Sequence, residues 1–475
     1  MTHTAKPNYK ELLIRKSVYL FLGKAMPVII LFLITIFYSR KLSYGDYGTF
    51  QSVWMYANIV NVIISFGVSS VILSTDLNFL FAFIKRNKNI IAPFYIILSL
   101  AVLTAFFFFA KNFTVTIKFL LIAFIIIQNL VTIAETLLIK QGGEKNAFII
   151  NFFYAMLFFA WHLYILYSGY SLVFLITGIS VISVIKFLAV ILFHIIINKG
   201  YKPVNDNADF INHWISLGVN EILGIIAKWI DKIFLLYLLT SSDFAVFFNG
   251  SFEIPLFGLL ISVTGSFLLI EISSNTKMSQ RIIDLFRENF NMLSSIVFPL
   301  FFFFLFFRDE LFSLVFKNKY NDSIPIFLIS IFVLPIRINN YSVILQCLSK
   351  GKKILLGSLI DILLAIILMI SLYPVMGTRG IALAIVIATW FQVIFYLWQS
   401  AVALNISVTQ LIPLKKLAMK FLILLAFYVL LSLTLQHPSK IINVVIAATF
   451  TTAAVVAGMW SYLKSLFNSN YGKVS

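Results

Sequence analysis

Apolar residues run along this chain in blocks of about twenty, separated by short polar stretches. Roughly 20 apolar residues make a helix long enough to cross a bilayer. The pattern predicts fourteen such helices, near 18–38, 50–73, 91–110, 117–139, 147–167, 172–197, 214–239, 244–270, 290–307, 324–348, 354–374, 379–399, 417–435 and 441–463. The longest connections, 74–90, 271–289 and 308–323, leave no room for a soluble domain. The expected fold class is therefore an all-α integral membrane protein. Segments 74–90 and 271–289 mix apolar and charged residues at helical spacing, which predicts amphipathic helices lying at the membrane interface.

One block departs from the rest. His213 to Leu239 is long and apolar enough to span, yet it carries Glu221, Lys228, Asp231 and Lys232. On a helix these four share one arc of roughly 100° with Gly224. A charge facing lipid at mid-depth costs about 3 kcal/mol or more, so the arc is expected to face protein or water. Two readings follow from the arc. Either ion pairs such as Lys228 with Asp231 neutralise it and only orient helices, or it lines a hydrated pathway.

A weak internal repeat adds organisation. Displaced by 197 residues, Asp46-Tyr47-Gly48-Thr49-Phe50 meets Asp243-Phe244-Ala245-Val246-Phe247, and Lys24 meets Glu221. Two six-helix repeats, 1–200 and 201–402, account for this, with two further helices and a tail in 403–475. Both halves start from the same side, as in transporters built from parallel repeats that bind substrate between halves.

Composition agrees with the membrane assignment. Of the 475 residues 61% are hydrophobic and 11% charged, with a mean hydropathy of +0.99, whereas soluble domains carry about 25% charge. The net charge of +18 does not imply nucleic acid, because Lys and Arg sit between apolar blocks. Segments on the N-terminal side of the bilayer hold more than twice the Lys and Arg of the opposite segments, which places both termini in the cytoplasm. No cleavable signal is evident, and the single cysteine, Cys347, excludes an internal disulfide. The five histidines show no metal-ligand spacing, and there is no P-loop, so neither a metal, a cofactor nor ATP hydrolysis is expected. The stripe Gly380, Ala384, Ala388 reads as close helix packing.

Four motifs, in order, resemble the polysaccharide-transport branch of the multidrug/oligosaccharidyl-lipid/polysaccharide (MOP) exporter superfamily. They are Ser39-Arg40-Lys41-Leu42-Ser43-Tyr44-Gly45-Asp46-Tyr47-Gly48 after the first span and Trp229-Ile230-Asp231-Lys232-Ile233-Phe234 in the seventh. Lys317-Asn318-Lys319-Tyr320-Asn321-Asp322-Ser323 and Leu372-Tyr373-Pro374-Val375-Met376-Gly377-Thr378-Arg379-Gly380-Ile381-Ala382 follow. The sequence departs from that pattern at Ala245 and Phe248, where Gly and Tyr are usual. The resemblance implies a MOP/MATE-like bundle around a central cavity in a bacterial inner membrane. It implies flipping of an undecaprenyl-pyrophosphate-linked oligosaccharide of the O-antigen or capsule type, coupled to H+ or Na+. Polysaccharide polymerase and chain-length proteins are the partners it suggests, besides membrane lipids.

Such a headgroup needs cations at depth. The candidates are Lys24, Lys186, Lys228, Lys232 and Arg337, the last beside Pro335 and Asn339-Asn340. Glu135, Glu221, Asp231 and Asp361 are the candidate coupling or gating acids, with Glu253 a further embedded acid. Two rivals stand beside the flippase. A cation-coupled drug antiporter of the same superfamily would need only twelve spans and an acid-rich cavity. A membrane polysaccharide-assembly enzyme would carry a larger outer loop than 308–323.

Overall fold

The computed structural model describes residues 9–197, 210–251, 279–348, 350–435 and 437–471, with scattered positions between 257 and 272. Among them every regular element is a helix. Among the described residues ten helices are long and apolar enough to cross a membrane, and an eleventh span forms if the bent pair Tyr44–Ser65 and Val68–Ser74 counts as one. These eleven correspond to predicted spans 1–6, 9 and 11–14. The other three differ for separate reasons. Span 7 is a helix, Phe210–Leu236, but carries charge. Span 8 beyond Ser251, with Glu253, lies largely outside the described residues. Span 10 is broken: a helix over Ile324–Ser330 and a 3-10 turn over Ile331–Val333 give way to turns around Pro335, and helix resumes at Val343–Cys347. Proline removes a backbone donor and clashes with the preceding turn.

The chain forms two compact units, 1–229 and 230–475. In the first, α1 (Tyr9–Lys41) packs along α7 (Glu144–Tyr167), and α6 (Val115–Lys140) along α8 (Leu172–Ile197). The bent pair α2 (Tyr44–Ser65) and α3 (Val68–Ser74) rests on α6, and α5 (Lys88–Phe109) packs against α2. Helix α5 leaves Ile96, Ile97, Leu100 and Phe108 exposed, as a lipid-facing helix does. The predicted amphipathic segment 74–90 contains a separate short helix, α4 (Leu77–Arg86). Its Phe79 and Phe83 rings pack on Phe210, while Lys85 and Arg86 close its last turn.

The bend between α2 and α3 has a local cause. Phe66 and Gly67 both take positive φ, 41° and 75°. Most of α9 (Phe210–Leu236) belongs to this first unit and passes directly over the bend. A Cβ on Gly67 would lie 2.7 Å from the backbone nitrogen of Gly218, and Trp214 Nε1 donates to the freed carbonyl of Phe66 at 3.1 Å.

In the second unit, α15 (Gly351–Met376) and α16 (Thr378–Leu404) form an antiparallel pair. Helix α11 (Ser279–Phe306) packs on α18 (Leu414–Thr434) and α19 (Lys440–Tyr471). The phenylalanine run of α11 is buried there: Phe301 and Phe302 stack against Phe421, and Phe302 against Tyr428.

The sequence repeat has a structural counterpart inside each unit. At the start of α2, Ser43 Oγ accepts from Asp46 N at 3.1 Å and donates to Asp46 Oδ2 at 2.6 Å. At the start of α10 (Ser241–Gly250), Thr240 Oγ1 accepts from Asp243 N at 3.2 Å and donates to Asp243 Oδ2 at 2.7 Å. Both are N-caps with the acid in the first turn, where the helix dipole favours it. The rings that follow, Tyr47 and Phe50 in one case and Phe244 and Phe247 in the other, are fully buried. Ala245 and Phe248, the departures from the motif, are buried with them.

Candidate functional site

In the first unit several polar side chains of three spans are gathered into one network. Lys186 on α8 pairs with Glu135 on α6 at 2.8 Å, their side chains only 10% and 18% exposed. The other oxygen of Glu135 accepts from Asn151 Nδ2 on α7 at 2.7 Å. The Lys186 ammonium lies 4.7 Å from the centre of the Tyr154 ring, a cation–π contact. Tyr154 and Ser183 share the amide of Gln128, which donates to the tyrosine hydroxyl at 3.0 Å and to Ser183 Oγ at 2.8 Å. A candidate cation and a candidate acid thus neutralise one another and tie three spans together. A buried pair needs this many hydrogen bonds to offset its desolvation.

Glu221, on the charged arc of α9, accepts a short hydrogen bond from Ser70 Oγ on α3. Lys228 is exposed and packs near the Trp229 ring, 5.8 Å from its centre. The side chain of Lys24 lies outside the described residues.

The second unit holds the other candidates. Asp231 and Lys232 form a buried pair at 2.9 Å, with side chains 7% and 9% exposed. The backbone N–H of Lys232 also donates to Asp231 Oδ1 at 2.8 Å, and the ammonium sits about 6 Å from the rings of Phe247 and Phe248 on α10. The aspartate of the motif therefore pairs with its sequence neighbour. Arg337 lies in the broken span, half-buried, and its charge acts on Asp361 of α15. Beside it, Asn289 donates to Asn339 Oδ1 at 2.6 Å, which holds the break against α11. The Lys317–Ser323 motif forms a turn held against α10: Lys317 and Asn318 turn the chain with φ of 53° and 62°, and Ser323 Oγ donates to Val246 O on α10 at 2.6 Å. Burial lowers the pKa of Lys319 in this turn, which lies outside the spans. In the connection between α7 and α8, Tyr170 is pushed up by burial and by the nearby charge of Asp46.

Two polar clusters escaped the sequence reading. Lys420 on α18 donates to Asn291 O, Ser294 Oγ and Ser295 Oγ on α11, at 2.9, 2.8 and 2.9 Å. Its three protons are matched by three neutral acceptors. His162 on α7 is fully buried among Tyr38, Phe50, Trp54 and Phe158, with Nδ1 at 3.0 Å from the Tyr38 hydroxyl. Neither has a spacing signal, because each is built by residues far apart in the chain. Among the described residues no three His, Cys, Asp or Glu gather as metal ligands.

A cavity of about 210 Å³ opens next to the first network, lined by Trp54, Asn58 and Asn61 of α2, Gln128 of α6, Tyr154 and Phe158 of α7, and apolar residues such as Pro27 and Ile30 of α1. Each amide sits near the middle of its span.

The class of protein is now defined by its architecture: a multi-pass, all-helical membrane protein with the fold of the MOP superfamily. Three solved structures carry that statement. The lipid II flippase MurJ in an inward closed conformation superposes with a TM-score of 0.66 over 96% of this chain and 100% of its own, at 16% identity. A MOP superfamily transporter from Pyrococcus furiosus with reversed polarity of its binding pocket follows at 0.57, 15% identity, covering 84% of this chain and 97% of its own. An outward-facing multidrug resistance MATE transporter gives 0.56 and 14% identity over 83% of this chain and 96% of its own. No family profile and no curated protein sequence matches the chain.

Proposed function

We propose that this protein is a flippase that carries an undecaprenyl-pyrophosphate-linked oligosaccharide, an O-antigen or capsule repeat unit, from the cytoplasmic to the outer leaflet by alternating access. One observation carries the choice within the superfamily. The flippase structure covers 96% of this chain, whereas the MATE transporter covers 83%. A chain with two helices beyond a twelve-span core fits the former, and α18 and α19 are integral to the second unit here.

In this reading the six-helix lobes are 1–200 and 201–402, and 403–475 adds the last two helices. The protein sits in a bacterial inner membrane with both termini in the cytoplasm, beside the polymerase and chain-length proteins that use its product. Lys186 and Lys232 are already matched by Glu135 and Asp231. Lys24, Lys228 and Arg337 are the further cations offered to the pyrophosphate. Arg337 suits it best, since a guanidinium binds phosphate in a bidentate manner and here sits at a helix break. Glu221 and Asp361 remain for gating or for H+ or Na+ coupling.

The test is complementation of a strain lacking its own repeat-unit flippase. The chain restores surface glycan, and Arg337→Ala abolishes display while membrane-protein level stays near normal. Absence of display by the unaltered chain, together with drug export from the same cells, would place it with the antiporters.

A further inference from the structure

The 210 Å³ cavity of the first unit is chemically unlike the ion-paired network beside it. Its lining carries no charge. The adjacent acid, Glu135, is engaged by Lys186 and Asn151, so it offers a cation nothing. The cavity lining is largely apolar, and the polar residues among it are neutral and keep unused hydrogen-bonding capacity. Trp54 Nε1 is buried and has no partner among the described residues. Asn58 uses its amide N–H on Trp54 O at 2.8 Å, which leaves Oδ1 as an acceptor. Asn61 Oδ1 accepts from Asn129 at 3.2 Å, which leaves its own N–H groups as donors. Gln128 spends its nitrogen on Tyr154 and Ser183, which leaves Oε1. Tyr154 accepts from Gln128 and keeps its O–H to donate.

Donors and acceptors thus share the lining with the rings of Trp54 and Phe158. An exposed amide such as Asn58 at mid-span would be costly against hydrocarbon, so this face meets water or a polar ligand. The volume holds roughly seven waters, about the bulk of one sugar ring. Each hydroxyl of a sugar both donates and accepts, and the apolar face of the ring stacks on an indole.

We propose that this cavity is a neutral pyranose subsite, in which Trp54, Asn58, Asn61, Gln128 and Tyr154 recognise one sugar of the transported glycan. It rests on the flippase reading for the source of that sugar. It assigns glycan discrimination to uncharged residues of the first unit.

Saturation-transfer NMR on the full chain in nanodiscs tests it, with free glucose, galactose, mannose, rhamnose and N-acetylglucosamine as probes and sodium chloride as ionic control. At least one sugar receives saturation. Trp54→Phe, which keeps an aromatic ring but removes the donor, weakens it about five-fold, as loss of one neutral hydrogen bond does. Asn58→Leu, at an exposed position, abolishes it without lowering the melting midpoint. No transfer to any probe, or equal transfer in all three proteins, overturns the proposal. So does a sodium-dependent rise in midpoint that Asn58→Leu removes, since that marks an ion site. Binding is read without turnover. A chain that displays glycan but binds no sugar here loses only this subsite, and one that binds sugar but moves no lipid-linked glycan loses only the transport reading.

Discussion

Lys186 illustrates what a single residue can and cannot tell. Its position halfway along an apolar block identifies it as a costly cation. Its partner was equally visible as a costly anion, but nothing in the spacing joins position 186 to position 135; only the packing of α8 on α6 does. The same holds for Lys420, whose acceptors lie on another helix. Lys186→Met is expected to lower stability by about 3 kcal/mol by stranding Glu135, and Lys186→Met with Glu135→Gln to recover most of it. Melting midpoints in detergent measure both. A double variant no better than the single would refute the pairing. Asp231→Asn should behave likewise, with Lys232→Met as the compensating change, because Lys232 is the cation at 2.9 Å. Glycan display by the refolded double variant then separates a structural pair from a moving one: a pair that only braces the helix leaves display intact.

Element boundaries were legible wherever hydrophobicity alone decides them. The eleven apolar spans fall close to the predicted segments because burial in lipid needs one length and one composition. The breaks were not legible. Pro335 signals a kink, but the turns that run to Val343 depend on Asn339 being held by Asn289 of α11. The bend at Phe66–Gly67 has no proline; it exists because α9 crosses there, with Gly218 against Gly67. Gly67→Ala is therefore doubly disfavoured. Its φ of 75° is one that alanine rarely adopts, at about 1–2 kcal/mol, and its Cβ would meet the Gly218 backbone at 2.7 Å. The expected result is a melting midpoint several degrees lower and reduced membrane-protein level. Gly169→Ala is the control, with a similar φ of 89° and open space around it, and it should lose only the conformational part. Equal losses would show that the α9 crossing contributes nothing.

For the whole molecule, the charge bias sets an orientation that can be checked directly. In a Cys347→Ser background, cysteines at Ser168 and Ser242 should react with an impermeant reagent added to intact cells. Those at Lys145 and Lys352 should react only after permeabilisation. All four positions are exposed, so accessibility is set by side and not by burial. The reverse pattern at either pair would overturn the assignment of both termini to the cytoplasm. The fold class could be read from the chain because it follows from composition and block length. The order of assembly follows from a contact that could not be read. Lys420 meets its three acceptors across more than 120 residues of chain, and those acceptors belong to α11, which leaves the ribosome long before α18. When α18 reaches the bilayer, its ammonium has no carboxylate waiting for it, only two hydroxyls and a carbonyl already in place on α11. An α18 presented to the translocon without α11 lacks those three acceptors, so the site of this ammonium is completed only once the second unit is there to receive it.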